Sequence, residues 1–152
     1  MRSNSPGAVH LRSDIERKRL YGGHEFDRLP REAYRQEATA RTYKRLRDLT
    51  ATALDAGQSA FIDAVHLRPD ERRAVKRVAS RSNAHFTGLW LDAPVNMLIE
   101  RVAKREMDAS DATVEVVSEQ AKQPAGAMEW TRLDASSTLE AIVARAQAAI
   151  PG

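Results

Sequence analysis

Three short β-like segments, each meeting an aspartate at its carboxyl end, constrain this chain more than any other feature. They are Ala8–Ser13, followed by Asp14; Ser59–Ala64, which contains Asp63; and Phe86–Leu91, followed by Asp92. Each is bounded by a turn former: Pro6-Gly7 before the first, Gly57 before the second and Pro94 after the third. Longer stretches of helical periodicity separate them, and strands alternating with helices build a parallel sheet in an α/β domain. In such sheets ligands sit outside the carboxyl ends of the strands, so acidic residues there are candidate site residues. A fourth, weaker strand is expected at Thr131–Asp134.

The helical stretches are Ile15–Leu20, capped by Ser13 or Asp14; Arg31–Ala56; Pro69–Ser80; Pro94–Glu106; Ala112–Lys122; and Ser137–Ile150. In the second, Ala38, Tyr43, Leu46, Leu49, Ala53 and Leu54 approximate an apolar stripe, and Gly57 closes it. Pro69-Asp70-Glu71 opens the third with acids in its first turn, which the helix dipole favours. Gly22–Pro30 and Gln123–Met128 read as loops. At 152 residues, with neither a linker nor a repeat, the chain is expected to form one domain spanning 1–152.

Composition narrows the chemistry. No cysteine means no disulfide framework, thiolate metal site or cysteine nucleophile, which fits a reducing, cytoplasmic setting. No apolar run approaches the roughly 18 residues of a membrane span. A net charge of +3 spread over the chain does not by itself call for nucleic acid, and no aromatic-plus-basic platform is visible. Among the 24 basic residues 19 are Arg, which suits planar recognition of phosphate or carboxylate. Trp90, Leu89 and Leu91 read as core, Trp130 as packing on the last strand, and His10, His66 and His85 as structural.

The order of these motifs resembles the small P-loop kinases of the gluconate-kinase and polynucleotide-kinase type, including the kinase-like domain known in bacteria as an AAA-family ATPase. The residues that carry the resemblance are Leu11–Leu20; Phe61–Ala64 with Leu67–Arg72; Gly88–Pro94; the helix with Arg101 and Arg105; and Asp108–Ala112. The resemblance implies a three-layer P-loop-NTPase-like fold, a parallel sheet flanked by helices. It further implies transfer of the γ-phosphoryl group of ATP, with Mg²⁺, to a hydroxyl of a small molecule or of a nucleic-acid end.

Residue by residue, the resemblance makes Asp14 the base that accepts the hydroxyl proton and Arg17 the group that holds the acceptor; the plain alternative is a helix cap beside an exposed Arg. Asp63 becomes the carboxylate that reaches Mg²⁺ through water, against a strand-end Asp capping a turn. Arg101 and Arg105, four apart and so on one helix face, become lid arginines, with Asp108 and Asp111 in the lid signature and the lid at about 101–123. Arg12 and Lys18 are expected to be acceptor or surface contacts.

The family opens with a strand and the phosphate loop G-x-x-x-x-G-K-[ST], and no Gly-Lys pair occurs among the seven glycines here. The expectation is therefore a domain lacking its first, central strand and its phosphate loop, inactive alone. Closure of the remaining strands, filling of the gap by another chain or a second copy, and marginal stability all stay open. The alternative function is a non-catalytic complementing partner.

Overall fold

A computed structural model of the chain describes residues 7–104 and 113–151. The elements run β1 (Val9–Arg12), α1 (Ser13–Leu20), a 3-10 turn (Arg31–Tyr34), α2 (Gln36–Asp55), β2 (Ala60–Asp63), α3 (Pro69–Arg81), β3 (Leu89–Asp92), α4 (Val95–Ala103), α5 (Val114–Lys122), β4 (Thr131–Asp134) and α6 (Leu139–Ala149). The α/β alternation, the four strands and the parallel pairing agree with the sequence. Among the described residues the strands form two sheets of two strands, β1 with β2 and β3 with β4, both parallel. The described residues fall into two compact units, 7–85 and 86–104 with 113–151.

In the first unit α2 is the organising element. Ala38, Thr42, Tyr43, Leu46, Thr50 and Ala53 are its buried face, at spacings of three and four. The two threonines satisfy their own hydroxyls: Thr42 donates to Ala38 O at 2.9 Å and Thr50 to Leu46 O at 2.7 Å. That face meets β1, β2, α1 and α3, where Leu11, Val75 and Ala79 complete the core. Burial of a side chain such as Leu46 contributes roughly 2 kcal/mol. The register places Leu11 beside Ile62 toward this core and His10 beside Phe61 on the exposed face, their rings 5.1 Å apart.

Local departures from the sequence expectations have identifiable causes. The helix expected from Arg31 divides, because Arg35 is extended (φ −62°, ψ 159°) between the 3-10 turn and α2. The turn is seated separately, with Ala33 fully buried and its carbonyl taken by Arg17 at 2.6 Å. α1 begins at Ser13, so Ser13 and Asp14 lie within its first turn and neither is the cap. His66 enters the loop after β2 at φ 45° and is buried, donating its N–H to Tyr43 Oη at 3.0 Å, while Arg72 donates to the carbonyls of His66 and Leu67 at 2.8 and 2.7 Å. His10 and His85 are exposed.

In the second unit β3 starts three residues later than expected. Phe86 packs against Trp130 with rings 5.8 Å apart, and Gly88 lies under the Trp130 ring, so these residues cover the indole before the ladder begins at Thr131 N to Gly88 O, 2.9 Å. Trp130 thus packs as expected, but Leu91, read as core, is 62% exposed. α6 contacts β4, and α4 contacts α5.

Candidate functional site at the carboxyl end of β1 and β2

The register that pairs Arg12 with Asp63 brings the carboxyl ends of β1 and β2 level. Asp63 therefore stands at the same sheet end as Asp14, two residues beyond Arg12 in the first turn of α1. This is where an open parallel sheet offers a ligand site. Arg12 Nε donates to Asp63 Oδ2 at 3.1 Å, and His10 Nε2 lies 4.0 Å from the same oxygen. Asp63 is half exposed and its charge is offset by Arg12, which is thereby part of the strand-end ion pair. Burial, and after it the charge of Glu71, pushes the Tyr43 hydroxyl up to about 12, with Asp14 a minor influence in the same direction.

Arg17, one turn after Asp14, points into the protein. It is 7% exposed, donates from one terminal nitrogen to Ala33 O at 2.6 Å and Thr39 Oγ1 at 3.3 Å, and lies 5.0 Å from the centre of the Tyr34 ring. Its Nε is buried without a hydrogen-bond partner. Lys18 is 1% exposed, not on the surface, and its ammonium donates to Glu25 O at 2.8 Å. Glu16, also 1% exposed, bridges Arg19 at 2.5 Å and Arg45 at 2.6 Å. Three consecutive charged residues of α1 are thus buried, and all three tie down the segment 22–34 or α2. Sequence reasoning missed Glu16 and read Lys18 as an acceptor or surface contact, because a helix reading Ser-Asp-Ile-Glu-Arg-Lys-Arg-Leu has no apolar stripe to mark an inward face; it also missed the anchoring Arg72 of α3.

At the far end of α1, about 10 Å from Asp14 at the helical rise, a shallow groove of about 420 Å³ is lined by Tyr21, Glu32, Arg35, Glu37, Ala38 and Arg41. Arg41 donates to Tyr21 Oη at 3.3 Å, and Arg35 lies 3.8 Å from Glu32.

The other expected residues divide in two. Arg101 is exposed in the last turn of α4, in the second unit. Arg105, Asp108 and Asp111, with much of the expected lid, lie outside the described residues. The second sheet also ends in acids: Asp92 and Asp134 pair in register, and Arg132 donates to Asp92 at 3.0 Å. The hydroxyl and N–H of Ser136 hold the Asp134 carboxyl below the usual carboxylate range.

A family model, the AAA domain, matches residues 1–126. The chain belongs to this family, a class of kinase-like nucleotide-binding domains that typically bind ATP and Mg²⁺. No curated protein matches the chain.

The described residues do not fit Mg·ATP. No strand-to-helix junction in the described chain carries a Gly-Lys phosphate cradle; β1 passes directly from Arg12 into Ser13 of α1, and β3 reaches α4 through Ala93-Pro94. Among the described residues no group of three His, Asp or Glu side chains is placed to hold a metal ion. Asp63, the expected metal carboxylate, is engaged by Arg12.

Proposed function

We propose that this chain is the acceptor-side portion of a kinase-like phosphotransferase domain, acting on a hydroxyl of a small molecule or a nucleic-acid end. The observation that carries this reading is the delivery of Asp14 and Asp63 to one sheet end by the register of β1 and β2. Asp14 is the residue suited to take the hydroxyl proton, since it sits in the first turn of α1 just beyond the carboxyl end of β1. Asp63 is the second carboxylate of the site; the family resemblance makes Arg101 and Arg105 lid cations, Arg101 lying in the second unit and Arg105 outside the described residues. The nucleotide cradle is a separate requirement that these 152 residues do not meet.

Calorimetric titration with Mg·ATP tests this reading on two proteins: the chain itself, and the chain preceded by a strand and phosphate loop from an AAA domain that has them. The expected result is saturable binding by the extended protein only. In that protein, assayed against sugar acids and 5′-hydroxyl oligonucleotides, Asp14→Asn lowers kcat by about 10²–10⁴-fold and leaves Mg·ATP affinity unchanged, the range for loss of a general base. Equal binding by the chain alone means that another cradle exists, and an Asp14→Asn enzyme at full rate removes Asp14 from the chemistry.

A further inference from the structure

Arg17 of α1 is one turn from Asp14, yet its guanidinium is turned away from solvent and committed to the protein. Ala33 O receives it at 2.6 Å, Thr39 Oγ1 at 3.3 Å, and the Tyr34 ring covers it at 5.0 Å. All three partners lie at the junction between the 3-10 turn and α2. The same junction supplies Glu32, Arg35, Glu37 and Ala38 to the groove beyond it. Neighbouring Lys18 holds the start of the same segment, through Nζ to Glu25 O at 2.8 Å and through its carbonyl to Gly23 N at 2.9 Å.

We propose that Arg17 is a positioning residue: it seats the segment 22–35, which with the start of α2 walls the groove, and does not itself touch the acceptor. This rests on the acceptor-side reading above and reassigns one residue within it. The chemistry favours the assignment. A cation with one residual face in water can exchange a solvent partner for a ligand at little cost, whereas Arg17 would have to surrender two hydrogen bonds and a ring contact. Its buried, unpartnered Nε is a further cost that this seat already carries, and the neighbouring contacts must hold it there. The wall itself has little else: Ala33 is its only buried apolar side chain between Leu20 and Gln36.

Two measurements decide it without an acceptor. Treatment of the native chain with phenylglyoxal, read by peptide mass, is expected to modify exposed Arg35 and Arg41 and to leave Arg17 intact. Backbone hydrogen exchange is then compared for wild type, Arg17→Met, Arg17→Lys and Thr39→Val. Arg17→Met is expected to speed exchange across 22–35 by about tenfold and across 60–63 and 69–81 by less than about twofold. Arg17→Lys, which keeps one charged donor for Ala33 O, is expected to recover part of the protection, and Thr39→Val to lose a smaller part. Modification of Arg17 as fast as Arg35, or unchanged exchange at 22–35, overturns the proposal. An equal rise throughout the unit also overturns it, since Arg17 would then hold the core and not the wall. Should Arg17→Met fail to fold, the reagent and Thr39→Val decide alone. None of these readings depends on Mg·ATP, so a failed nucleotide titration and a failed Arg17 assignment are told apart.

Discussion

His66 shows how a single side chain can set a pH limit on a fold. Burial is the main cause that brings its imidazole down to about 4, with the nearby charges of Arg72 and Arg47 acting in the same direction and the Ala64 carbonyl opposing them. The folded state therefore keeps His66 neutral where the unfolded chain, at about 6.5, takes up a proton. Stability from this group is complete above pH 6.5 and is lost as pH falls toward 4, by about 2–3 kcal/mol. Glu71, raised chiefly by its own burial, works the other way as it protonates. The comparison that isolates His66 is denaturant unfolding of wild type and His66→Asn between pH 7 and 4, because Asn tolerates the positive φ of this position. The expected result is a shallower acid slope in the variant; parallel slopes would remove His66 as the cause. At this scale the sequence was least informative. That His66 is structural was legible, but the burial of Glu16, Lys18 and Arg72 was not, since each is satisfied by a partner 3 to 29 residues away.

Elements were easier to read than residues where hydrophobic periodicity dominates. β4 falls on Thr131–Asp134 as expected, α3 is within one residue of its expected ends, and α2 ends within one residue of its expected close. Where a tertiary contact competes with propensity, the structure departs from the periodicity. Thr42 and Thr50 displaced Leu49 and Leu54 from the most buried line of α2, because their hydroxyls bond back into the helix. The strand expected at Phe86 waits until Leu89 because Gly88 accommodates Trp130. A Cβ on Gly88 would lie 2.5 Å from Trp130 Cδ1 and Cδ2. Gly88→Ala is therefore expected to destabilise the second unit by about 1–3 kcal/mol. Thermal unfolding followed by tryptophan fluorescence measures the cost, and the double variant Gly88→Ala, Trp130→Leu should recover part of it. A Gly88→Ala protein as stable as wild type would show that the indole moves freely out of the way. Of the candidate site, the two strand-end carboxylates Asp14 and Asp63 were legible from position alone; the inward orientation of Arg17 was not, because it depends on where the 22–34 segment returns.

Among the described residues, burial is unevenly shared. Leu11, Ala33, Ala38, Tyr43, Leu46, Ala53, Val75 and Ala79 give the first unit its core, while the second has Leu133 and Ala135. α4, α5 and α6 contain no buried residue, and Leu91, Leu139 and Ile150 are half exposed or more. Opening free energies follow the density of buried apolar contacts. Hydrogen exchange is accordingly expected to be slowest in α2 and β1, and clearly faster in α4, α5 and α6. Limited proteolysis is expected to cut within 86–151 first. Equal protection in the two units would show that the second gains stability from something other than its own core.

Both strand pairs are parallel, so neither can be closed by a tight turn. The Arg12–Asp63 bond joins residues 51 apart, and the Arg132–Asp92 bond joins residues 40 apart. The loop-closure entropy of each sheet must be met before any ladder bond forms, and only the intervening helices can shorten the distance beforehand. Strand pairing is thus expected to follow the helices, and β1 has no partner until α2 and then β2 have left the ribosome.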